Sequence, residues 1–119
     1  MLNVHWFKCN ASNGTDWCGF ETLNLDTVTE DGAYIIWHAG NPGHTVYVGQ
    51  GAVKDRLAKH RNDRRILACK QKGKLYVTWA TVSGGQQDGV ERYLADWLDP
   101  LVGDAHPDAV PIQVNSPWS

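Results

Sequence analysis

Two short apolar runs, separated by a cluster of turn-forming residues, form the clearest hydrophobic pattern in the chain. The runs cover residues 33–37 and 45–48, and both are rich in the β-branched and aromatic side chains that favour strands. The sequence Ala-Gly-Asn-Pro-Gly at residues 39–43 is typical of a hairpin loop. The pattern therefore predicts two antiparallel strands that bring Tyr34 and Tyr47 side by side.

A helix is predicted directly after the second strand. Residues 49–51 are Gly-Gln-Gly, and this flexible backbone is expected to let the chain leave the sheet tightly. Val53, Leu57 and His60 then recur at the i, i+4 and i+7 spacing of one helix face. This spacing predicts a helix over residues 53–62.

Three further elements and a proline-rich tail follow. The pattern predicts a short helix over residues 64–70, an alternating strand over 74–82, and a longer helix with Asp88 as its N-cap. The apolar stripe of this last helix consists of Val90, Tyr93, Leu94, Trp97 and Leu98. Together these elements predict an α+β fold in which helices flank a small, three-stranded, mainly antiparallel sheet.

Residues 1–31 differ in composition from the rest of the chain. They are acidic and rich in Asn and Thr, with a few aromatic side chains as anchors. Residues 4–9 and 17–23 have strand character on either side of a turn region at residues 10–16. We therefore expect an N-terminal accessory arm or hairpin ahead of a main domain at residues 32–119. The arm could complete the core, cover a site or bind a partner.

The size and composition of the chain narrow its class. Its 119 residues are enough for one domain with its own core. No apolar stretch approaches the roughly 18 residues that span a bilayer, and the N-terminus lacks the apolar run of a secretion signal. We therefore expect a cytoplasmic protein with no membrane association. Cys9, Cys18 and Cys69 are then expected to be free thiols.

The net charge of −2 hides an uneven distribution of charge. Nine of the eleven basic residues lie within residues 54–74 together with only two acidic residues, so this segment carries +7 and the remainder −9. A concentrated basic segment is typical of a surface that binds a polyanion, because each neutralised phosphate releases condensed counterions. A solvated helical surface is the alternative. The candidate nucleic-acid contacts are Lys54, Lys59, Arg61, Arg64 and Arg65.

Six short motifs, in order along residues 32–115, carry a resemblance to a known family. They are Gly32-Ala33-Tyr34, Tyr47-Val48-Gly49, Arg56, His60, Glu91 and Asn115. In this order they resemble the motifs of the GIY-YIG nuclease superfamily, whose fold is a small α+β domain. Gln50 departs from the pattern, because many relatives carry a lysine there, and Lys54 could take over that role.

The resemblance implies a small, single-domain, metal-dependent endonuclease that hydrolyses phosphodiester bonds in DNA. By this resemblance, Tyr34 and Tyr47 position or activate the attacking water. Arg56 and His60 engage the phosphate, and Glu91 holds Mg²⁺ or Mn²⁺. The residue types suit these roles, since a guanidinium matches two phosphate oxygens and a carboxylate suits a hard cation. A single carboxylate is few for a tight site, so weak metal binding is expected.

Several alternatives stay open from the sequence. Gln50 and Asn115 are expected to contact the substrate, although Asn115 could equally tie the C-terminal tail to the core. The chain could also keep the fold as a non-catalytic nucleic-acid-binding module, or act as a protein-interaction domain through exposed tryptophans. RNA is open as a substrate. A protein partner could supply the target choice that family members usually obtain from appended domains.

Overall fold

Four antiparallel strands form the sheet at the centre of the structure. The computed structural model describes residues 1–9, 16–103 and 106–118. The strands, in chain order, are β1 (Cys18–Gly19), β2 (Asp31–His38), β3 (His44–Ala52) and β4 (Leu75–Thr81). They lie side by side in the order β1–β4–β2–β3, so β3 forms one edge. The α+β class is confirmed, but the sheet has one strand more than predicted, because two residues of the N-terminal segment pair with β4.

Helices cover both faces of this sheet. They are α1 (Val53–His60), α2 (Arg64–Ala68) and α3 (Gly84–Leu98). α1 and α2 cover one face, where Leu57 and Ile66 are completely buried in the same cluster as Tyr34. α3 covers the opposite face, where Val90 and Leu94 are completely buried. The periodicity that predicted α1 and the stripe of α3 thus corresponds to the two buried helix faces.

α3 begins at Gly84, earlier than the predicted N-cap Asp88. Ser83 is the N-cap, and its hydroxyl donates a hydrogen bond to the Gln86 side chain at 2.9 Å. Ser83 and Gln86 have the spacing of a capping box, but the Ser83 side chain accepts no backbone N–H. The first turn closes instead through a bond from the Gln86 amide to the Ser83 carbonyl at 2.9 Å. Asp88 therefore lies within the helix, where its carboxylate accepts a hydrogen bond from the Gln50 side chain.

β3 continues through residues 49–51, so the prediction that the chain leaves the sheet there is wrong. The strand stays paired with β2 as far as Ala52, which lies opposite Asp31. Gly51 has a φ of +115°, a conformation that favours glycine. The glycines therefore serve the strand itself, and α1 begins only after its last residue.

Gly49 makes room for Tyr34, the largest of the fully buried side chains among the described residues. The strand register places Gly49 opposite Tyr34, whose side chain is almost completely buried. A Cβ atom at Gly49 would lie 2.9 Å from Cε1 of Tyr34 and closer still to its Cζ and hydroxyl. The Tyr34 ring can therefore lie across β3 only because position 49 has no side chain.

The N-terminal segment contributes to the core on both faces of the sheet. Trp6 is buried in the cluster beneath α3, whereas Phe20 and Val28 are buried in the cluster beneath α1 and α2. Phe7 runs beside β4: its amide donates to the Trp79 carbonyl at 2.8 Å. Of the three roles open to this segment, the contacts support completion of the core. Most of the predicted turn region, residues 10–15, lies outside the described residues.

The tail after α3 covers half of the β3 edge. Leu101 and Val102 donate backbone hydrogen bonds to Thr45 and Val46 at 3.1 and 2.9 Å. These two hydrogen bonds occupy carbonyl groups of the edge with which another strand could otherwise pair. In the described part of the tail these bonds reach the first part of β3, and residues 49–51 line a cleft instead.

A disulfide joins Cys9 to Cys18, so the prediction of three free thiols is wrong for these two residues. Cys69 is a free, buried thiol, as predicted. The pairing follows from the position of the N-terminal segment beside β1, which brings two cysteines within bonding distance. Disulfides are typical of oxidising compartments, and the cytoplasmic location stays a prediction. Within the described parts of the chain, no helix is long and apolar enough to cross a membrane.

We expect Gly49→Ala to destabilise the protein by about 1–3 kcal/mol, the usual cost of overpacking a core. The free energy of urea-induced unfolding would measure this loss. Gly84→Ala is the matched control, because a Cβ at Gly84 meets nothing within 4 Å. It should leave the free energy of unfolding unchanged or slightly raised. Equal stability of the two variants would contradict the packing argument.

Candidate active site

A cleft of about 570 Å³ lies beside the second half of β3. α1 reaches this edge from one face of the sheet and α3 reaches it from the other. The residues that line it are Tyr34, Tyr47, Gly49, Gln50, Gly51, Arg56, Gln87, Glu91, His106 and Pro107. Four of the five predicted catalytic residues, Tyr34, Tyr47, Arg56 and Glu91, are therefore brought together in one place.

His60 contacts the cleft indirectly, through Tyr34. The Tyr34 hydroxyl lies 2.6 Å from Nε2 of His60. Burial lowers the pKa of His60 to about 4, against an opposing effect of Asp63, and burial raises the pKa of Tyr34. Both groups are thus neutral at pH 7, and the phenol O–H can donate to a bare Nε2. This bond leaves the oxygen lone pairs of Tyr34 free to accept a hydrogen bond from the cleft.

Tyr47 completes a group of three stacked and tilted rings. Its ring is nearly parallel to that of Tyr34, with centroids 6.2 Å apart, and lies 4.3 Å from the ring of His60. Burial and the nearby charge of Glu91 raise the pKa of Tyr47, and Arg56 offsets part of that effect. Tyr47 is therefore a protonated phenol at neutral pH, able to donate a hydrogen bond to an anion but not to remove a proton unaided.

Arg56 extends from α1 across the backbone of Gly51. A Cβ at Gly51 would lie 3.3 Å from Nε of Arg56, so the glycine provides the surface on which the guanidinium lies. Arg56 is exposed, and no ion pair within residues 1–9, 16–103 and 106–118 engages it. Its planar donor fork is therefore available to an anion that enters the cleft.

Glu91 projects from α3 and is the buried acid of the cleft, with 8% of its surface exposed. Burial raises the pKa of this carboxyl group, while a hydrogen bond with His106 acts in the opposite direction. Nδ1 of His106 lies 3.3 Å from Oε2 of Glu91. The sequence pattern did not indicate His106, since neither periodicity nor a motif links the irregular tail to α3.

The resemblance implies a divalent cation at Glu91, and the donor atoms here fit one. A carboxylate oxygen and an imidazole nitrogen open on the same cleft, and a cation would offset the cost of burying the carboxylate. In the part of the chain that the structure describes, no group of three or more His, Cys, Asp or Glu side chains converges on one point. A cation at this site would therefore complete its coordination with water or substrate oxygens.

Gln50 and Lys54 are separated by the structure. Gln50 lines the cleft and donates its side-chain amide to Asp88, so it links β3 to α3. Lys54 faces away and pairs with Asp26 at 3.2 Å. Lys54 therefore does not take the place of the lysine that Gln50 replaces.

The basic residues of α1, α2 and the turn between them differ in whether other groups of the protein already engage their side chains. The Arg61 guanidinium donates hydrogen bonds to the carbonyls of Phe20 and Leu23, at 3.0 and 2.5 Å for its Nη2 atom, and thereby fixes the N-terminal segment. Arg65 pairs with Asp63 at 3.4 Å. The other two candidate contacts, Lys59 and Arg64, are exposed on the surface.

Asn115 lies outside the cleft and ties the two ends of the described chain together. Its Oδ1 accepts from the amide of Val4 at 2.7 Å, and its Nδ2 donates to the Val4 carbonyl at 3.0 Å. The backbone carbonyl of Asn115 accepts a hydrogen bond from the indole N–H of Trp6 at 2.8 Å. Of the two roles open to Asn115, the geometry supports the structural one.

Comparison of the chain with protein-family models, with curated proteins and with solved structures found no significant match. The likeness to the GIY-YIG superfamily therefore rests on the residues and their order alone. The structure adds that Tyr34, Tyr47, Arg56 and Glu91 line one cleft, although Glu91 lies far from the other three in the sequence.

We expect the free energy of unfolding to fall as the pH is lowered from 6.5 towards 4, in part because of His60. The unfolded chain binds a proton at the ordinary His pKa of 6.5, whereas the folded His60 binds it only near its pKa of about 4. Urea unfolding at several pH values would show the loss, and His60→Gln should show less of it. An NMR titration of His60 with a midpoint near 6.5 would contradict this prediction.

Proposed function

We propose that this protein is a metal-dependent endonuclease of the GIY-YIG type, which hydrolyses phosphodiester bonds in DNA. The observation that carries the proposal is the convergence of two phenols, one guanidinium and one buried carboxylate on a single cleft. Phosphodiester hydrolysis needs charge stabilisation at the phosphate, an oriented water and relief of charge on the leaving oxygen. The four side chains offer the chemistry for each of these needs.

Arg56 would bind the scissile phosphate. Its guanidinium is exposed at the cleft and unpaired within the described ranges. Two parallel N–H donors match two non-bridging phosphate oxygens and stabilise the charge that develops on them. Tyr47, a protonated phenol beside it, would donate a further hydrogen bond to the same group.

Tyr34 would orient the attacking water. Because its own hydrogen is donated to His60, its oxygen can accept a hydrogen from a water molecule in the cleft. His60 therefore acts as a positioning residue, through the hydroxyl of Tyr34, rather than by direct contact with phosphate. Neither phenol is a base at neutral pH by itself, since burial raises the pKa of both.

Glu91 would hold the divalent cation, Mg²⁺ or Mn²⁺. Such a cation supplies Lewis-acid stabilisation of phosphate charge and lowers the pKa of bound water when it is present. The carboxylate itself is buried on α3 and faces Arg56 and Tyr47 closely enough for its charge to change the pKa of Tyr47. In this position the cation held by Glu91 and the guanidinium of Arg56 would contact the same phosphate.

The exposed cations of α1 and α2 would guide DNA to the cleft. Arg56, Lys59 and Arg64 lie within the segment of charge +7, in a chain whose remainder carries −9. A basic surface next to a cleft raises the local concentration of a polyanion. These basic residues would contact the backbone phosphates of DNA and RNA alike. RNA is therefore tested as an alternative substrate in the experiments below.

A second candidate function is protein binding, and an aromatic surface favours it. Trp97 and Trp118 are 46% and 42% exposed, and together with Trp37 they border a hollow of about 310 Å³. Large exposed aromatic side chains are typical of interaction sites. This surface does not overlap the residues that line the cleft, so it could serve a targeting partner without blocking catalysis.

We expect the purified protein to nick supercoiled plasmid in the presence of Mg²⁺ or Mn²⁺. Glu91→Gln and Arg56→Ala should each lower the nicking rate by at least about 100-fold, the usual effect of removing one charge-stabilising group. Arg92→Ala is the matched control: it lies next to Glu91 on α3, pairs with Asp96 and does not line the cleft. The measurement is the rate of conversion to open-circular DNA, with structured RNA as a parallel substrate.

The outcomes separate the candidate functions. Equal nicking by all variants would place the activity outside this cleft. An absence of nicking by every variant, with DNA binding retained, would favour the non-catalytic binding module.

We expect the double variant Lys59→Ala/Arg64→Ala to bind DNA more weakly and with a smaller salt dependence. For every phosphate that the variant no longer neutralises, the slope of log affinity against log salt should become shallower by about 0.9. Arg61→Ala should instead lower the free energy of unfolding by about 1–3 kcal/mol, since its guanidinium fixes the N-terminal segment. Fluorescence anisotropy at several salt concentrations and urea unfolding would measure the two effects. An unchanged slope in the double variant would contradict the proposed DNA surface.

A further inference from the structure

The tail after α3 contributes His106 to the cleft. Leu101 and Val102 pair with the β3 edge. Gly103 then lies against the Tyr47 ring, where a Cβ would be 3.3 Å from Cε2. The described chain resumes at His106, whose ring faces Glu91. The tail is thus anchored at Leu101 and Val102, and it adds an imidazole to a cleft in which Glu91 is the carboxylate among the described lining residues.

The separation of the two donor atoms is the key observation. Nδ1 of His106 lies 3.3 Å from Oε2 of Glu91, and 21% of the His106 side chain and 10% of the Glu91 side chain are exposed. Two neighbouring ligands of an octahedral cation lie about 3 Å apart, because each is about 2.1 Å from the ion at a right angle to the other. The pair therefore has nearly the spacing of two adjacent coordination positions.

We propose that Glu91 and His106 together form a divalent-metal site that selects a transition ion such as Mn²⁺ over Mg²⁺. The proposal rests on the proposed function, because it concerns the cation of the same cleft. Imidazole is a better ligand for first-row transition ions than for Mg²⁺, which prefers oxygen donors throughout, and Mn²⁺ is the transition ion nearest to Mg²⁺ in its preference for oxygen. With one oxygen and one nitrogen from the protein, the remaining positions stay open for water and phosphate oxygens.

The alternative role for His106 is a hydrogen bond that only holds the tail against α3. The two roles differ in what the removal of the imidazole changes. A hydrogen bond that holds the tail would affect folding stability and leave the relative affinities for Mn²⁺ and Mg²⁺ unchanged. A ligand would affect Mn²⁺ affinity strongly and Mg²⁺ affinity weakly.

The test is metal binding by the full chain without nucleic acid. Isothermal titration calorimetry with Mn²⁺ and with Mg²⁺ would compare the wild type with Glu91→Gln, His106→Ala and His106→Gln. His5→Ala is the control for loss of an imidazole, because His5 is exposed and contacts the Phe7 ring instead of the cleft. Pulsed EPR of bound Mn²⁺ adds a direct readout, since a coordinated imidazole produces a nitrogen modulation.

We expect the wild type and His5→Ala to bind Mn²⁺ more tightly than Mg²⁺ and to show the nitrogen modulation. Both His106 variants should lose at least tenfold in Mn²⁺ affinity, the modulation and most of the preference over Mg²⁺. Unchanged Mn²⁺ affinity and modulation in the His106 variants, with binding abolished in Glu91→Gln, would overturn the inference and leave the proposed function standing. Unchanged binding in Glu91→Gln would overturn both.

Discussion

The contact between the Tyr34 ring and the backbone of Gly49 is the constraint on which the rest of the site depends. It joins β2 to β3 on the face covered by α1, and it directs the Tyr34 hydroxyl to His60. A side chain at position 49 would displace the ring and remove that hydrogen bond. Gly51 has a similar role for Arg56, whose guanidinium lies over it. Two glycines of one edge strand thus make room for the phenol and the cation of the cleft.

The site concentrates polar groups at a place where water is only partly excluded. Burial raises the pKa of Tyr34 and Glu91 and lowers that of His60. Perturbed groups that share a cleft are characteristic of functional sites, although structural networks also perturb pKa values. Here the two phenols and the His60 imidazole are neutral, and Arg56 stays exposed. The proposed phosphate and cation would give each charge in the cleft a partner.

The sequence predicted much of this arrangement. The turn between the two apolar runs, with one tyrosine in each run, was enough to place Tyr34 and Tyr47 together, and their rings lie 6.2 Å apart. The helical spacing was enough to place Arg56 next to the strands. The start of α3 was predicted wrongly: Asp88 was taken as the N-cap, whereas the helix already begins at Gly84, after Ser83. Several residues in one segment can each favour a different helix start, and the folded backbone shows at which residue the helix begins.

Sequence patterns alone are enough to predict the order of the elements, their buried faces and the residues that α1 and the hairpin carry to the cleft. These features follow from alternation and helical periodicity, which each segment expresses locally. The tertiary structure decided the partners of the polar groups. Asn115 meets Val4 across 111 positions, Arg61 meets Phe20 across 41, and His106 meets Glu91 across 15. The physical reason is that a buried polar group must find a hydrogen-bond partner, and the available partners depend on how distant segments pack.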